Sequence, residues 1–176
     1  MPKVTIRMKP PIISIVGKSN SGKTVLVEKL IKELKKRGYR IGIIKHAHHG
    51  FNIDKRGKDS WRHKKAGADT VVAVSPGMLI MVKDHEDESI DAHRKYVMDM
   101  DLVITEGFKK EKKPKIEILR AARNNKPLFG DDDSLIALVT DTDVTLDVPT
   151  FGLEDIESLS NLIEKRYLSS ESENKS

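Results

Sequence analysis

The chain has 176 residues, of which 38% are hydrophobic and 34% charged, and its formal net charge of +5 gives a pI of about 9.3. It contains no cysteine, which excludes disulfides, thiolate metal sites and cysteine nucleophiles. No segment resembles a signal peptide or the ~18 apolar residues of a membrane helix, so we expect a cytoplasmic protein. Aromatic residues make up only 5% and the positive charges are spread along the chain, which argues against nucleic-acid binding.

The predicted elements alternate between strands and helices over most of the chain. In chain order they are an extended arm at 1–10, a strand at 12–16, a helix at 22–37, a strand at 39–45, a polar loop at 46–57, a helix at 58–66, strands at 70–74 and 78–82, a helix at 87–98, strands at 102–105, 115–119 and 135–139, and a helix at 154–167. Such alternation predicts an α/β fold with a mostly parallel sheet and helices on both faces. We expect one domain over residues 1–168 and a disordered polar tail over 169–176.

The two strands at 70–74 and 78–82 interrupt this alternation. They are separated by Ser75-Pro76-Gly77, in which proline and glycine supply the backbone angles of a tight turn. The pattern therefore predicts an antiparallel hairpin. It is either an edge extension of the main sheet or a pairing surface for a second subunit.

The segment Gly17–Thr24 fits the phosphate-binding pattern G-x-x-x-x-G-K-[ST], and it lies between a predicted strand and a predicted helix, as that pattern requires. Its glycines let the backbone wrap a phosphate, and successive N–H groups at the helix N-terminus bind it. Lys23 can reach the β- and γ-phosphates, and the Thr24 hydroxyl can bind Mg²⁺. We therefore predict a P-loop NTPase fold with a nucleoside triphosphate site. The predicted nucleotide-binding residues are Gly17, Lys18, Ser19, Asn20, Ser21, Gly22, Lys23, Thr24 and Val25.

A P-loop site needs a second carboxylate, at the carboxyl end of a neighbouring strand, to help hold magnesium or water. Glu106 directly follows an apolar strand, and Gly107 after it leaves room beside the phosphates. Asp101, at the other end of that strand, is interpreted as a strand-entry residue. Asp54 lies in the loop after the second strand. It is either a ligand of the metal or of a water molecule, or simply a residue of the turn. The predicted catalytic residues are Lys23, Asp54 and Glu106, and the predicted metal ligands are Thr24, Asp54 and Glu106.

Two further polar segments leave alternatives open. Three histidines follow the second strand: His46, His48 and His49. Three interpretations are open, namely a transition-metal site, a solvated loop, or a contact for an anionic ligand. We favour the anion contact, because strand ends in such sheets face the ligand crevice. The basic run Lys109–Lys115 follows Glu106 closely and is either a solvated face or a site for a second anionic ligand or a partner.

Taken in this order, several stretches resemble the MobB family, the molybdopterin-guanine dinucleotide biosynthesis adapter proteins. The first is the phosphate-binding loop, which thousands of proteins share. The more particular stretches are Ile43–His49, Asp54, Gly57–Ser60, Arg62, Ala66–Ala68, Thr105–Lys109, Pro114–Glu117 and Arg120. Together they cover roughly residues 10–140.

The resemblance implies a homodimeric P-loop protein that binds GTP and hydrolyses it weakly. Such a protein assists the MobA nucleotidyltransferase, which attaches GMP to molybdopterin during molybdenum cofactor maturation. On the matching positions, Gly22, Lys23 and Thr24 hold phosphate and magnesium, Glu106 takes the place of the Walker B acid, and Asp54 lies on the magnesium side. The basic run and the histidine loop become candidate contacts for the anionic pterin phosphate or for MobA.

The sequence departs from the usual guanine-binding pattern, because Asn-Lys-x-Asp is absent and Asn125–Leu128 ends in leucine. Asp141, after the strand at 135–139, either accepts hydrogen bonds from guanine N1 and N2 or is a loop residue, so the guanine preference rests on the resemblance. Lys18 stands where a related dimerising class of P-loop ATPases has a lysine that reaches the partner's nucleotide. Ser19-Asn20 replaces the two glycines of that class, so Lys18 either acts across subunits or faces solvent.

Three other functions remain open. A small-molecule kinase or ATP-dependent ligase could share this fold, although the sequence contains no clear lid segment. A metallochaperone GTPase would bind nickel or zinc through His46, His48 and His49. A nucleic-acid-binding protein would use its basic surface and bind DNA in a salt-sensitive way.

Overall fold

The computed structural model describes residues 9–47, 50, 56–123 and 126–169. The elements in chain order are β1 (Ile12–Gly17), α1 (Lys23–Lys36), β2 (Ile41–Lys45), α2 (Asp59–Lys65), β3 (Thr70–Ser75), β4 (Met78–Lys83), α3 (Ile90–His93), β5 (Leu102–Glu106), β6 (Lys115–Leu119), β7 (Leu135–Thr140), β8 (Thr150–Phe151) and α4 (Ile156–Ile163). Short 3-10 turns follow α3 at Arg94–Tyr96 and β6 at Ala121–Arg123, and a π-helical turn, Glu164–Leu168, continues α4. Two compact units are present: one comprises the described residues up to His46 and from Ser89 onwards, and the other comprises those from Ala47 to Glu88.

The first unit is built on a six-stranded sheet in the order β2-β5-β1-β6-β7-β8, in which every pairing is parallel. Strand β1 lies between β5 and β6 and is buried over its whole length. Parallel strands end at the same edge of a sheet. The residues that follow β1, β2, β5, β6 and β7 therefore share one edge, with the phosphate-binding loop among them.

The main hydrophobic core lies between one face of this sheet and the helices α1 and α4. Helix α1 buries Leu26, Leu30 and Leu34, which recur every four residues and so form one stripe. Their partners on β1 are Ile13 and Ile15, both almost fully buried. Burial of each such side chain contributes about 1.5–3 kcal/mol, so this stripe fixes α1 on the sheet.

The opposite face carries a smaller cluster, in which Ile90 of α3 packs with Ile12 of β1 and Val103 of β5. Helical residues thus cover both faces of a mostly parallel sheet, and a separate antiparallel pair completes the architecture. The predicted fold class is confirmed. No helix in the described part of the chain is long and apolar enough to cross a bilayer.

Helix α1 ends at Gly38, which has a φ of 90°. Gly38 N–H donates to the Lys35 carbonyl and Tyr39 N–H to the Leu34 carbonyl, the pair of bonds that closes a helix through a left-handed glycine. Tyr39 Oη then donates to Glu164 at 2.6 Å, and Arg37 donates to the same carboxylate at 2.8 Å. These two hydrogen bonds, first the one from Tyr39, lower the pKa of Glu164. They also join the end of α1 to the end of α4.

The helix predicted at 87–98 is wrong in its extent, since only Ile90–His93 is α-helical and a single 3-10 turn follows. The reason is close packing on β2. A Cβ at Gly42 would lie 2.9 Å from Met100 Cγ and 3.1 Å from Val97 Cγ1. The chain must leave the helix before Val97 so that both side chains reach Gly42. Strand β8 was not predicted, because two residues carry no periodicity.

The predicted hairpin is formed by β3 and β4, which make an antiparallel two-stranded sheet within the second unit. The register pairs Val72 with Met81 and Val74 with Leu79, so these four side chains share one face. All four are 39–74% exposed. We call them the hairpin face. A two-stranded sheet is marginally stable by itself, and an exposed apolar face of this kind is typical of an interaction surface.

Candidate functional site

The loop Gly17–Thr24 adopts a backbone that few side chains tolerate. Gly17 has a φ of 149°, Asn20 of 57° and Gly22 of 92°. A Cβ on Gly17 would lie 2.6 Å from the carbonyl oxygen of Ile118 in β6, so the loop lies directly against the neighbouring strand. Ser21, within the loop, is buried, and its hydroxyl has no hydrogen-bond partner within the described residues. Glycine at the first position is therefore required both for the turn and for this close approach.

The N-terminus of α1 is suited to an anion. Its N-cap residue, Gly22, provides no side-chain cap, and the first turn has no acidic residue. The first backbone N–H groups of a helix have no intrahelical acceptor, and the helix dipole favours negative charge there. Thr24 and Val25 in this turn are both exposed. The turn can thus hold a phosphate without displacing a side chain.

Lys23 brings a positive charge into the loop. Its Nζ donates to the carbonyls of Lys18 at 2.7 Å and Gly17 at 3.4 Å. Partial burial lowers the pKa of Lys23, the nearby charges of Lys109 and Lys45 lower it further, and Glu106 opposes them. Burial first, and the neighbouring cations second, thus disfavour the charged form of this ammonium, and a bound phosphate would favour it.

Thr24 and Glu106 meet although they lie far apart in the chain. Thr24 Oγ1 donates to Glu106 Oε1 at 3.0 Å, and Lys45 Nζ lies 3.7 Å from the same oxygen. Glu106 ends β5 and is only 14% exposed. Hydroxyl and carboxylate oxygens are the ligands that Mg²⁺ prefers. The pair therefore fits the predicted magnesium site, and Mg²⁺ there would neutralise charge on the phosphates.

The ends of β2 and β5 are joined beside Glu106. His46 N–H donates to the Glu106 carbonyl at 3.0 Å, and the His46 ring stacks on Phe108 at 4.9 Å between ring centres. Phe108 has a positive φ of 52°. A Cβ added to Gly107 would lie 3.1 Å from His46 Cβ, so the two backbone segments approach each other closely. His46 thus lies next to the site.

Several predicted site residues remain predictions. Asp54, His48 and His49 lie outside the described residues, as does most of the predicted tail. No group of three or more His, Cys, Asp or Glu suited to a metal ion occurs in the part of the chain that the structure describes.

A second polar pair lies at the ends of β6 and β7. Arg120 Nε donates to Asp141 Oδ2 at 2.8 Å, and the backbone N–H of Ala121 donates to Asp141 Oδ1 at 2.8 Å. These two hydrogen bonds, the backbone one first, lower the pKa of Asp141. Arg120 also reaches the phosphate loop, since its Nη1 lies 3.6 Å from where a Cβ on Gly22 would stand. Sequence reasoning selected Asp141 but gave Arg120 no role. The available signal was its place directly after a strand.

The basic run Lys109–Lys115 does not act as one surface. Lys113 pairs with Asp91 at 2.9 Å, and Lys115 is buried and donates to Ser134 and Asp132. Lys109, Lys110 and Lys112 are exposed. Only these three are available to a ligand or a partner.

Replacing Gly17 by alanine should lower the free energy of unfolding by about 3 kcal/mol, because the new Cβ meets the backbone of Ile118 in an unfavourable φ region. Urea unfolding measures the change. Gly38→Ala is the matched control, since Gly38 has a φ of 90° with nothing within 4 Å of its Cβ position. It should cost about 1–2 kcal/mol. Equal losses would show that the contact with Ile118 is unimportant.

Similarity to known proteins extends over most of the chain. A family model described as "Molybdopterin guanine dinucleotide synthesis protein B" matches residues 12–141. A relative from Escherichia coli, named molybdopterin-guanine dinucleotide biosynthesis adapter protein, is 36% identical over 159 residues, which is 87% of this chain and 91% of the relative. A relative of the same name from Haemophilus influenzae is 40% identical over 157 residues, with 88% of both chains covered.

Two solved structures agree with the sequence comparison. A crystal structure described as molybdopterin-guanine biosynthesis protein B superposes with a TM-score of 0.70 at 31% identity, covering 88% of this chain and 97% of the other. The crystal structure of Bacillus subtilis MobB superposes with a TM-score of 0.69 at 27% identity, covering 89% and 98%. The likeness therefore extends over nearly the full length of these proteins.

Proposed function

Because the chain belongs to the MobB family of molybdopterin-guanine dinucleotide biosynthesis adapter proteins, we propose that it binds GTP with Mg²⁺ at the Gly17–Thr24 loop. In this proposal it hydrolyses GTP at most slowly. It assists a MobA-like nucleotidyltransferase in the cytoplasm, where molybdopterin is the anionic ligand of the complex.

One observation carries the nucleotide proposal, namely the convergence of three features at one sheet edge. They are the uncapped N-terminus of α1, the ammonium of Lys23 inside the loop, and the Thr24–Glu106 oxygen pair at 3.0 Å. A triphosphate with Mg²⁺ has matching chemistry, because it supplies anionic oxygens to the N–H groups and to Lys23 while the metal takes the two protein oxygens. Asp54 is proposed as a further group on the magnesium side.

We include a homodimer in this proposal, and the hairpin face supports it. Val72, Val74, Leu79 and Met81 present contiguous apolar surface, and the β3–β4 pair has no further strand at its edges in the part of the chain that the structure describes. A second copy offers the same apolar face and the same edges, so a two-fold arrangement would cover both. Of the two alternatives for Lys18, only the contact with the partner's nucleotide would require that arrangement.

Calorimetric titration tests the nucleotide proposal directly. GTP should bind in the presence of Mg²⁺ and bind more weakly when EDTA removes it, and ATP should bind more weakly than GTP. A preference for ATP would favour the kinase or ligase alternative on the same fold. Absence of binding to either nucleotide would overturn the proposal.

Charge reversal on the basic run tests the adapter role. Lys109 is close enough to lower the pKa of Lys23, so its reversal would also disturb the phosphate site. We therefore choose the exposed Lys110 and Lys112. Lys110→Glu with Lys112→Glu should weaken binding to a MobA-like partner or to molybdopterin about tenfold at low salt, because rim charges mainly steer encounter with an anionic surface.

Affinity for GTP is measured on the same variant and should stay unchanged. Lys32→Glu with Lys35→Glu is the matched control, since both residues are exposed on α1. If partner and pterin binding remain at the wild-type level in the Lys110 and Lys112 variant, the basic run has no role in recognition.

A further inference from the structure

The ends of β6 and β7 lie on the other side of β1 from Glu106. Strand β5, with Glu106, borders β1 on one side, and β6 followed by β7 borders it on the other. The metal-binding oxygens of Thr24 and Glu106 are therefore on the β5 side. If the metal-bound phosphates of a nucleoside triphosphate lie on the β5 side, its nucleoside lies on the β6–β7 side. Arg120 and Asp141 are on that side.

Arg120 and Asp141 present a hydrogen-bond donor next to an acceptor. Each is partly exposed, with side-chain exposures of 37% and 31%. Asp141 uses one oxygen for Ala121 N–H and one for Arg120 Nε, which leaves about two of its four acceptor positions. The four N–H groups on the two Nη atoms of Arg120 make no hydrogen bond to any other described residue. The guanidinium lies beside Gly22, so the pair borders the phosphate loop.

Guanine carries the complementary groups on two adjoining edges, which share O6. It has acceptors at O6 and N7 and donors at N1–H and the 2-amino group, and arginine binds O6 and N7 with two parallel hydrogen bonds. Adenine reverses the pattern, with a donor at N6 and an acceptor at N1. An arginine fixed beside an aspartate therefore suits guanine and leaves donor facing donor with adenine.

We propose that Arg120 and Asp141 together read the guanine base, with Arg120 donating to O6 and N7 and Asp141 accepting from N1 and the 2-amino group. This inference rests on the proposed GTP binding and adds the residue and the arrangement that decide between guanine and adenine. The direct bond between the two side chains holds both in register before the nucleotide arrives, so little side-chain order is lost on binding.

Arg120→Ala tests the donor half of the pair. Binding is measured by calorimetry with Mg²⁺ for GTP, for inosine triphosphate, which keeps O6 and N7 but lacks the 2-amino group, for ATP and for inorganic triphosphate. Affinity for GTP and inosine triphosphate should fall about tenfold or more, because one bidentate contact is lost. Affinity for ATP and inorganic triphosphate should not change. A similar loss for all four ligands would place Arg120 on the phosphates and overturn the proposal.

Asp141→Asn tests the acceptor half through a gain of function. The asparagine oxygen can keep the bond from Ala121 N–H. Its amide N–H₂ replaces Oδ2, so it gives up the bond from Arg120 Nε and can donate instead to the 2-oxo group of xanthine. Affinity for GTP should fall about tenfold or more, and affinity for xanthosine triphosphate should rise. If GTP affinity is unchanged, Asp141 does not read the base.

The matched control is Asp143→Asn, two residues further along the same turn and also exposed. It should leave GTP affinity unchanged. If Asp143→Asn and not Asp141→Asn lowers GTP affinity, the proposed reader is wrong. Thermal melting checks that each variant is folded, and binding of inorganic triphosphate checks the phosphate loop separately.

These measurements also separate the two proposals. Wild-type protein that binds none of the four ligands would contradict the P-loop function itself. Wild-type protein that binds GTP and ATP equally well would contradict only the guanine reader.

Discussion

Lys23→Ala should lower affinity for Mg²⁺-GTP by about 100-fold or more while leaving the protein folded. Lys23 is the charged group inside the phosphate loop, with its Nζ 2.7 Å from the Lys18 carbonyl. Two hydrogen bonds from an ammonium to phosphate oxygens contribute about 1.5–3 kcal/mol each. Their joint loss corresponds to at least two powers of ten in the dissociation constant.

The same substitution should leave the unliganded protein at least as stable as the wild type. The pKa of Lys23 is lowered, so the folded state disfavours its charge, and alanine removes both the desolvation of the buried ammonium and its repulsion from Lys109 and Lys45. Calorimetry measures the affinity and thermal melting measures the stability. Lys32→Ala, an exposed change on the same helix, is the control. Binding of GTP by Lys23→Ala within threefold of the wild type would contradict the assignment of this loop.

Val74→Glu combined with Leu79→Lys should convert the proposed dimer into a monomer. These residues are directly opposed on the hairpin face and are 74% and 62% exposed. Opposite charges on a cross-strand pair support the hairpin by themselves. Burying them against a second copy would desolvate four charges, which costs several kcal/mol. Dimer dissociation should therefore become at least about 1,000-fold easier, as measured by sedimentation equilibrium over a range of concentrations.

Thr70→Glu provides the matched control, because Thr70 lies opposite Lys83 and forms the same kind of charged pair beyond the apolar residues. That variant should remain dimeric. If the wild-type protein sediments as a monomer at all concentrations, the proposal that a second copy covers the hairpin face is wrong.

Features that depend on neighbouring residues could be predicted from the sequence. The spacing of Gly17, Gly22 and Lys23 identifies the phosphate loop, because that geometry is encoded within eight positions. Glu106 could be selected because it ends an apolar strand. The hairpin followed from Pro76 and Gly77 between two apolar runs, and its antiparallel pairing is confirmed.

Features that depend on contacts between residues far apart in the chain could not be predicted from the sequence. Arg120 lies near the phosphate loop because β6 pairs with β1. The order of the strands in a sheet cannot be deduced from a local sequence pattern. Charged residues such as Lys115 and Glu117 would be expected on a solvent-exposed face of β6, yet both are buried. A later segment covers them, since Glu117 accepts bonds from the backbone of Leu128 and Phe129. The shortened helix α3 likewise reflects packing on Gly42, a contact across the sheet.

The central position of β1 also decides when, during synthesis, the protein can first hold a nucleotide. The phosphate loop is translated before β5 and β6, and β1 lies between these two later strands. Until β6 emerges, Gly17 has no Ile118 backbone to lie against. The stripe of α1 has no α4 to cover it until residues 156–163 have been translated. A chain that stops before β6 therefore carries the loop sequence without the fold that shapes it, and nucleotide can stabilise only chains that extend beyond β6.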